Sequence, residues 1–215
     1  MFNISKGKGK IFCIGLNKTG TTSIETVLKN FQYKIGNQQK GELLLKNWYN
    51  RDFKSIIKFC KTAEAFQDIP FSLPYTYIFL ENHFPQAKFI LTVRDNENQW
   101  YNSITKFHAK LWSNNKLLPP TTSELKNANY RYKGWAFDAN QFMFNTNENN
   151  PYNKEKLIKY YNNHNYQVQR YFESIPDKLL VINVSNANDY FKLCEFLNKP
   201  TQGTDFPWEN KTNSK

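Results

Sequence analysis

Between Lys10 and Phe31 the sequence changes its period once, and that change limits the architectures open to the rest of the chain. Lys10-Ile-Phe-Cys-Ile-Gly15 is a short apolar run ending at glycine, the pattern of a strand buried on both faces. Ile24, Val27, Leu28 and Phe31 then recur at i, i+3, i+4 and i+7, the stripe of a helix lying on a sheet. The connecting stretch, Gly15-Leu-Asn-Lys-Thr-Gly-Thr-Thr-Ser23, brings small residues, hydroxyls and one lysine to the start of that helix. A strand, a glycine-containing loop and a helix in this order open a parallel α/β sheet.

The alternation continues downstream. Leu43 to Trp48 and Phe53 to Phe59 read as short helices and Thr62 to Gln67 as a second strand. Asp68-Ile-Pro70 ends that segment, because a residue before proline is held out of the helical region. A helix from Tyr75 to His83 stops near Pro85, and Lys88-Phe-Ile-Leu-Thr-Val93 is the clearest strand of the chain. Asn96 caps the following helix, with Gln99 completing a capping box and Trp100, Ile104, Phe107 and Leu111 as its apolar stripe. From Trp112 to Gly134, Pro119-Pro120 and weak periodicity predict a long loop with room for one short helix, placed as a lid or binding loop. Leu157, Tyr161, His164, Val168, Tyr171 and Ile175 mark a long amphipathic helix, followed by the strand Leu179 to Asn183 and a helix from Asp189 to Leu197. The expected fold is α/β: a single domain over 1–215 with a P-loop-like parallel β-sheet flanked by helices on both faces, and flexible ends at 1–9 and 212–215.

Composition narrows the function classes. A chain of 215 residues, 40% of them hydrophobic, can bury one substantial core. Ile11 to Leu16 is too short for a signal sequence or a membrane span, so a cytoplasmic protein with no membrane partner is expected. Cys13, Cys60 and Cys194 are odd in number, far apart and in no ligand spacing, which favours reduced thiols over disulfides or zinc. The 29 Lys+Arg against 18 Asp+Glu give a net charge of +11, which would attract a polyanion. The same excess also follows from a general richness in Asn, Lys, Tyr, Phe and Ile. The lysines are scattered along the chain, which argues against a nucleic-acid partner.

The loop after the first strand is an anion site by construction, since the first turn of a helix leaves amides unpaired at the positive end of its dipole. It is not the nucleotide loop GxxxxGK[ST]: Lys18 precedes the second glycine and Thr21 stands where lysine belongs, which counts against Mg·ATP chemistry.

Lys18-Thr-Gly-Thr-Thr-Ser23 resembles the KxGTT(S/W) loop that holds the 5′-phosphosulfate in sulfotransferases dependent on 3′-phosphoadenosine 5′-phosphosulfate (PAPS). Lys88 to Asp95 followed by Trp100-Tyr-Asn-Ser103 is similar to the family's second motif, a strand-end arginine and a helical serine at the 3′-phosphate. The separation of Arg94 and Ser103 is one residue longer than the commonest spacing, leaving Asn102 and Tyr101 as alternatives to Ser103. His164-Asn165, the Leu179-Leu-Val strand, Cys194 to Leu197 and Phe206-Pro207 resemble the compact branch of bacteria and viruses, so the likeness covers nearly the whole chain.

The resemblance implies sulfuryl transfer from PAPS, without a metal, to a hydroxyl or amine of a small-molecule or glycan acceptor. It implies a nucleotide held by Asn17, Lys18, Thr19, Gly20, Thr21, Thr22 and Ser23 at its 5′ end and by Arg94 and Ser103 at its 3′-phosphate. Trp208, Asn210 and Lys211 would belong to a tail closing over it. Lys18 and the amides of Thr19 to Thr22 would neutralise the leaving phosphate, and Trp112, Tyr130, Tyr132 and Trp135 would line the acceptor pocket. For the general base, Asp68 ranks first because Asp68-Ile-Pro70 stands where the family carries His-Leu-Pro. His164 ranks second and His108 third. Each has a plainer reading: Asp68 as a helix cap, His108 as an exposed helix histidine, His164 as a core histidine, Arg94 as the partner of a surface carboxylate. A P-loop kinase, and a nucleotide binder without catalysis, remain the rival functions.

Overall fold

The computed structural model describes residues 9–207. Strand β1 (Ile11–Cys13) pairs in parallel with β2 (Ala65–Phe66) on one side and with β3 (Lys88–Thr92) on the other, Ile11 lying opposite both Ala65 and Lys88. Beyond β3 lies β4 (Leu179–Ile182), parallel again, with Phe89 opposite Leu179. The sheet order is therefore β2-β1-β3-β4. The chain leaves β1 toward β2 and returns to the far side of β1 for β3, so the winding reverses between β1 and β3. A switch point of this kind opens a crevice at the carboxyl ends of the two strands.

The period of two sorts strand side chains onto opposite faces. Phe12, Ile14, Phe89 and Leu91 enter one core with residues of α4 (Phe53–Phe59), α5 (Thr76–His83) and α9 (Lys154–Phe172). Ile11, Cys13 and Ile90 enter the other, closed by α1 (Thr21–Asn30) and α10 (Ala187–Phe196). Helices thus cover both faces, as the sequence predicts. Phe12 meets the rings of Phe66, Phe71, Phe84 and Phe89 at 5.6 to 5.9 Å, and burying one such ring stabilises the fold by about 1.5–3 kcal/mol. A third cluster, including Leu16, Trp100, Ile104, Leu125, Phe144 and Tyr161, holds α6 (Glu97–Trp112), α7 (Thr122–Asn127), α8 (Trp135–Phe144) and α9 together around the loop that leaves β1. Cys13, Cys60 and Cys194 are buried. Among the described residues no helix is long and apolar enough to cross a membrane.

Several elements differ from expectation for local reasons. The second strand contracts to two residues. Gln38–Glu42 forms a helix (α2) ahead of α3 (Leu45–Tyr49); it is polar and without an apolar stripe, and Asn37 caps it by accepting from the Lys40 amide. Gly134, at φ 85°, is the N-cap from which α8 starts. Asn96 caps α6 as predicted, but the Gln99 side chain turns to the Asp95 amide, so the box does not close on Asn96. The stripe of α9 runs through Phe172 in place of Tyr171 and Ile175.

Candidate active site

The loop after β1 is shaped by two close approaches. A Cβ at Gly15 would lie 2.0 Å from Thr92 Oγ1, and one at Gly20, where φ is 105°, would lie 2.3 Å from Val184 Cγ2. Thr19 is fully buried; its hydroxyl meets the Leu16 carbonyl at 2.6 Å and Thr92 Oγ1 at 2.5 Å, and its amide also donates to Leu16. The expectation that the Thr19 amide faces an anion is therefore corrected, because that residue's polar groups are used inside the loop. The first helical amide bond runs from Ile24 to Gly20, so the amides of Gly20 to Ser23 form the open N-terminus of α1, and its first turn holds no acidic residue.

Two cations border this N-terminus. Arg94 leaves the end of β3, where its amide donates to Tyr161 Oη at 2.9 Å and its Nε to the Lys18 carbonyl at 2.7 Å. Among the described residues neither Arg94 nor Lys18 forms an ion pair with a carboxylate, so the reading of Arg94 as a surface-pair partner does not hold. Burial, and then the charge of Arg94, lowers the pKa of Lys18; burial likewise lowers that of Arg94. Like charges held together in a half-buried cleft favour an anion between them. The Lys18 ammonium lies 4.0 Å from the centre of the Phe107 ring, and Trp100 Nε1 holds the Asn17 carbonyl at 3.0 Å. Ser103, half-buried, sits between Trp100 and Phe107 on that face of α6. Asn102 is exposed, and Tyr101 donates its hydroxyl to the Tyr152 carbonyl.

Asp68 follows β2 directly and is 5% exposed. It caps no helix: the N-cap of α5 is Tyr75. Its Oδ2 accepts from Gln38 Nε2 at 2.9 Å, while Oδ1 is buried without a hydrogen-bond partner. Burial pushes its pKa up to about 7; the charges of Glu42 and Glu25 act in the same direction, and the Thr21 hydroxyl and Lys18 oppose them. Asp68 in turn raises the pKa of Lys18, so the two groups share one cleft.

Beside that cleft is a narrow pocket with room for about 50 Å³. Trp112, Tyr130 and Trp135 wall it, with ring centroids 5.1 to 6.5 Å apart. Its lining also includes Asn17 and Ile69, the chain neighbours of Lys18 and Asp68. Tyr132 lies outside it, donating to Asp138 Oδ2 at 2.7 Å. His108 is part of the lining and not an exposed helix residue; its Nδ1 is 2.8 Å from Tyr152 Oη. Burial, then Lys18, pushes its pKa down to about 3. His164 is elsewhere, 3% exposed, with Nε2 on the Ile14 carbonyl at 2.8 Å, and burial pushes it down to about 4.

The structure thus brings Lys18, Asp68, Arg94 and His108 around one crevice, with Ser103 half-buried on the face of α6 that carries Trp100, and leaves His164 in the packing. Trp208, Asn210 and Lys211 lie outside the described residues. The sequence reading missed Gln38, Glu42 and Arg131, which adjoin Asp68 or the pocket; a polar pentapeptide and a lone arginine carry no periodic signal. A family model described as a sulfotransferase domain matches residues 10–215. No curated protein matches the chain.

Proposed function

The chain belongs to the sulfotransferase domain family, and from that premise we propose that it transfers a sulfuryl group from PAPS to the hydroxyl or amine of a compact, largely apolar acceptor. The observation that carries this reading is the meeting at a single switch point of an open helix N-terminus, a buried carboxylate, and two cations that form no ion pair with a carboxylate among the described residues. PAPS supplies the activated group, and transfer leaves charge on its 5′-phosphate. Lys18 and the amides of Gly20 to Ser23 meet that charge as preorganised donors. Arg94 offers a planar donor fork to the 3′-phosphate, with Ser103 beside it. Asp68 Oδ1 takes the acceptor proton, and a pKa of about 7 suits a base working near neutrality.

The pocket favours a ring-bearing small molecule over a glycan. Its walls are mainly aromatic and aliphatic, and a glycan buried there would leave many hydroxyls without partners. We place the reaction in the cytoplasm, where the three buried thiols stay reduced. The test is transfer from PAPS to a panel of phenols, cyclic alcohols, amines and glycans, with and without EDTA. Turnover with ring hydroxyls or amines, unchanged by EDTA, is expected, because Lys18 and the loop amides perform the charge stabilisation that Mg²⁺ performs in kinases. Activity that requires ATP and Mg²⁺ would replace this reading with the kinase, and tight adenosine 3′,5′-bisphosphate binding without any transfer would leave a binder.

A further inference from the structure

Gln38 bridges two buried carboxylates. Its Nε2 donates to Asp68 Oδ2 at 2.9 Å and to Glu42 Oε1 at 3.1 Å, so each amide hydrogen has an acceptor and the side chain has one satisfactory orientation. Glu42 is 3% exposed, and its Oε2 accepts from Arg131 Nε. Arg131 comes from the 113–134 segment, stacked 4.1 Å over the Tyr130 ring and donating through Nη2 to Tyr130 Oη at 3.1 Å. Trp135 Nε1 fixes the Glu42 carbonyl at 3.1 Å. A continuous chain therefore runs from the wall of the acceptor pocket through Arg131, Glu42 and Gln38 to Asp68.

Two neighbouring carboxylates shielded from water cannot both ionise at low cost, and the partner of each decides where the charge resides. Here the guanidinium faces Glu42, whereas the hydrogen-bond donors to Asp68 are neutral, the Gln38 amide on Oδ2 and the Thr21 hydroxyl. We infer that Arg131, Glu42 and Gln38 are positioning residues for Asp68: they hold Glu42 ionised, leave Asp68 the more basic of the two carboxylates and so the one that takes up a proton near neutrality, and pin its Oδ2 on the Gln38 amide. The inference rests on reading Asp68 as the general base.

The other groups acting on Asp68 are few. Lys18 and Thr21 favour its charged form, while Glu25 disfavours it from α1, where Lys29 pairs with Glu25 at 2.5 Å. Cys13 and Tyr130 also lie within reach of its charge. Burial raises the Glu42 pKa, and the Arg131 contact opposes that rise without cancelling it.

The experiment is a carbon-13 titration of the aspartate carboxyls in the full chain, with the Asp68 signal assigned by its loss in Asp68→Asn. Glu42→Gln removes a like charge and should lower the Asp68 midpoint by about one pH unit, whereas Gln38→Leu removes a donor to the charged form and should raise it by about as much. Loosened packing would not give shifts of opposite sign. Arg131→Met removes the cation that holds the charge on Glu42, so the like charge acting on Asp68 weakens and the Asp68 midpoint should fall, which carries the test if Glu42→Gln does not fold. Midpoints that stay at the wild-type position, or Glu42→Gln and Gln38→Leu shifts of the same sign, overturn the inference. The titration is read without turnover, so its outcome is separate from the base reading, which fails only if Asp68→Asn transfers at the wild-type rate.

Discussion

Asp68→Asn is expected to lower the transfer rate by about 10²–10⁴-fold while leaving nucleotide affinity nearly intact. The substitution keeps the size of the side chain and its contact with Gln38, and removes the one oxygen able to take a proton. The same variant should be more stable than the wild type at high pH. Asp68 is 5% exposed and its pKa is raised from 3.8 to about 7, so between those values the folded protein holds a proton that the unfolded chain has released. Stability owed to that proton is complete below pH 3.8 and lost as pH rises through about 7. The advantage of Asp68→Asn should therefore grow by about 1.4 kcal/mol per pH unit across the window. Thermal melts at pH 4 and pH 8 check it. An Asp68→Asn enzyme that turns over normally while His108→Ala is inactive would transfer the base role to His108, which lines the pocket and is neutral at physiological pH.

Lys18→Ala should lower kcat by about 10²–10³-fold, the scale of losing one preorganised donor at a developing charge. Unlike Asp68→Asn it should also weaken the nucleotide, because Lys18 and Arg94 share the cleft and each is held there at the expense of its own charged form. Lys18→Arg should recover binding better than rate, since the longer planar group retains the charge and misplaces it relative to the helix N-terminus. Steady-state kinetics with calorimetry on the same samples separates the two effects. A Lys18→Ala variant with undiminished kcat would show that the α1 amides suffice.

What was legible in the sequence was local. The β1 strand, its loop and α1 follow one another in a single stretch, and the apolar period reports each of them; Arg94 is marked in the same way by the end of β3. Asp68 was found by its place after a strand and before a proline, although only the structure shows its burial and its free oxygen. Long-range placement was not legible. Thr19 turns inward because its hydroxyl pairs with that of Thr92 on β3 and donates to the Leu16 carbonyl. Phe107 and Leu111 extend the stripe of α6 and yet are 38% and 40% exposed, because they border the pocket where the Trp100 end of the stripe enters the core. Periodicity marks a residue as apolar and is silent on what covers it. The same holds for Glu42 and Arg131, 89 positions apart and joined only by the fold.

Calorimetric binding of adenosine 3′,5′-bisphosphate, compared with adenosine 5′-monophosphate and with Mg·ATP, tests the central assignment most directly. The account predicts that the 3′-phosphate tightens binding by at least about tenfold, the scale of a charge-assisted contact, and that Arg94→Ala abolishes this gain while leaving the affinity for the monophosphate nearly unchanged. Equal affinity for the bisphosphate and the monophosphate, or tighter binding of Mg·ATP than of either, would contradict it.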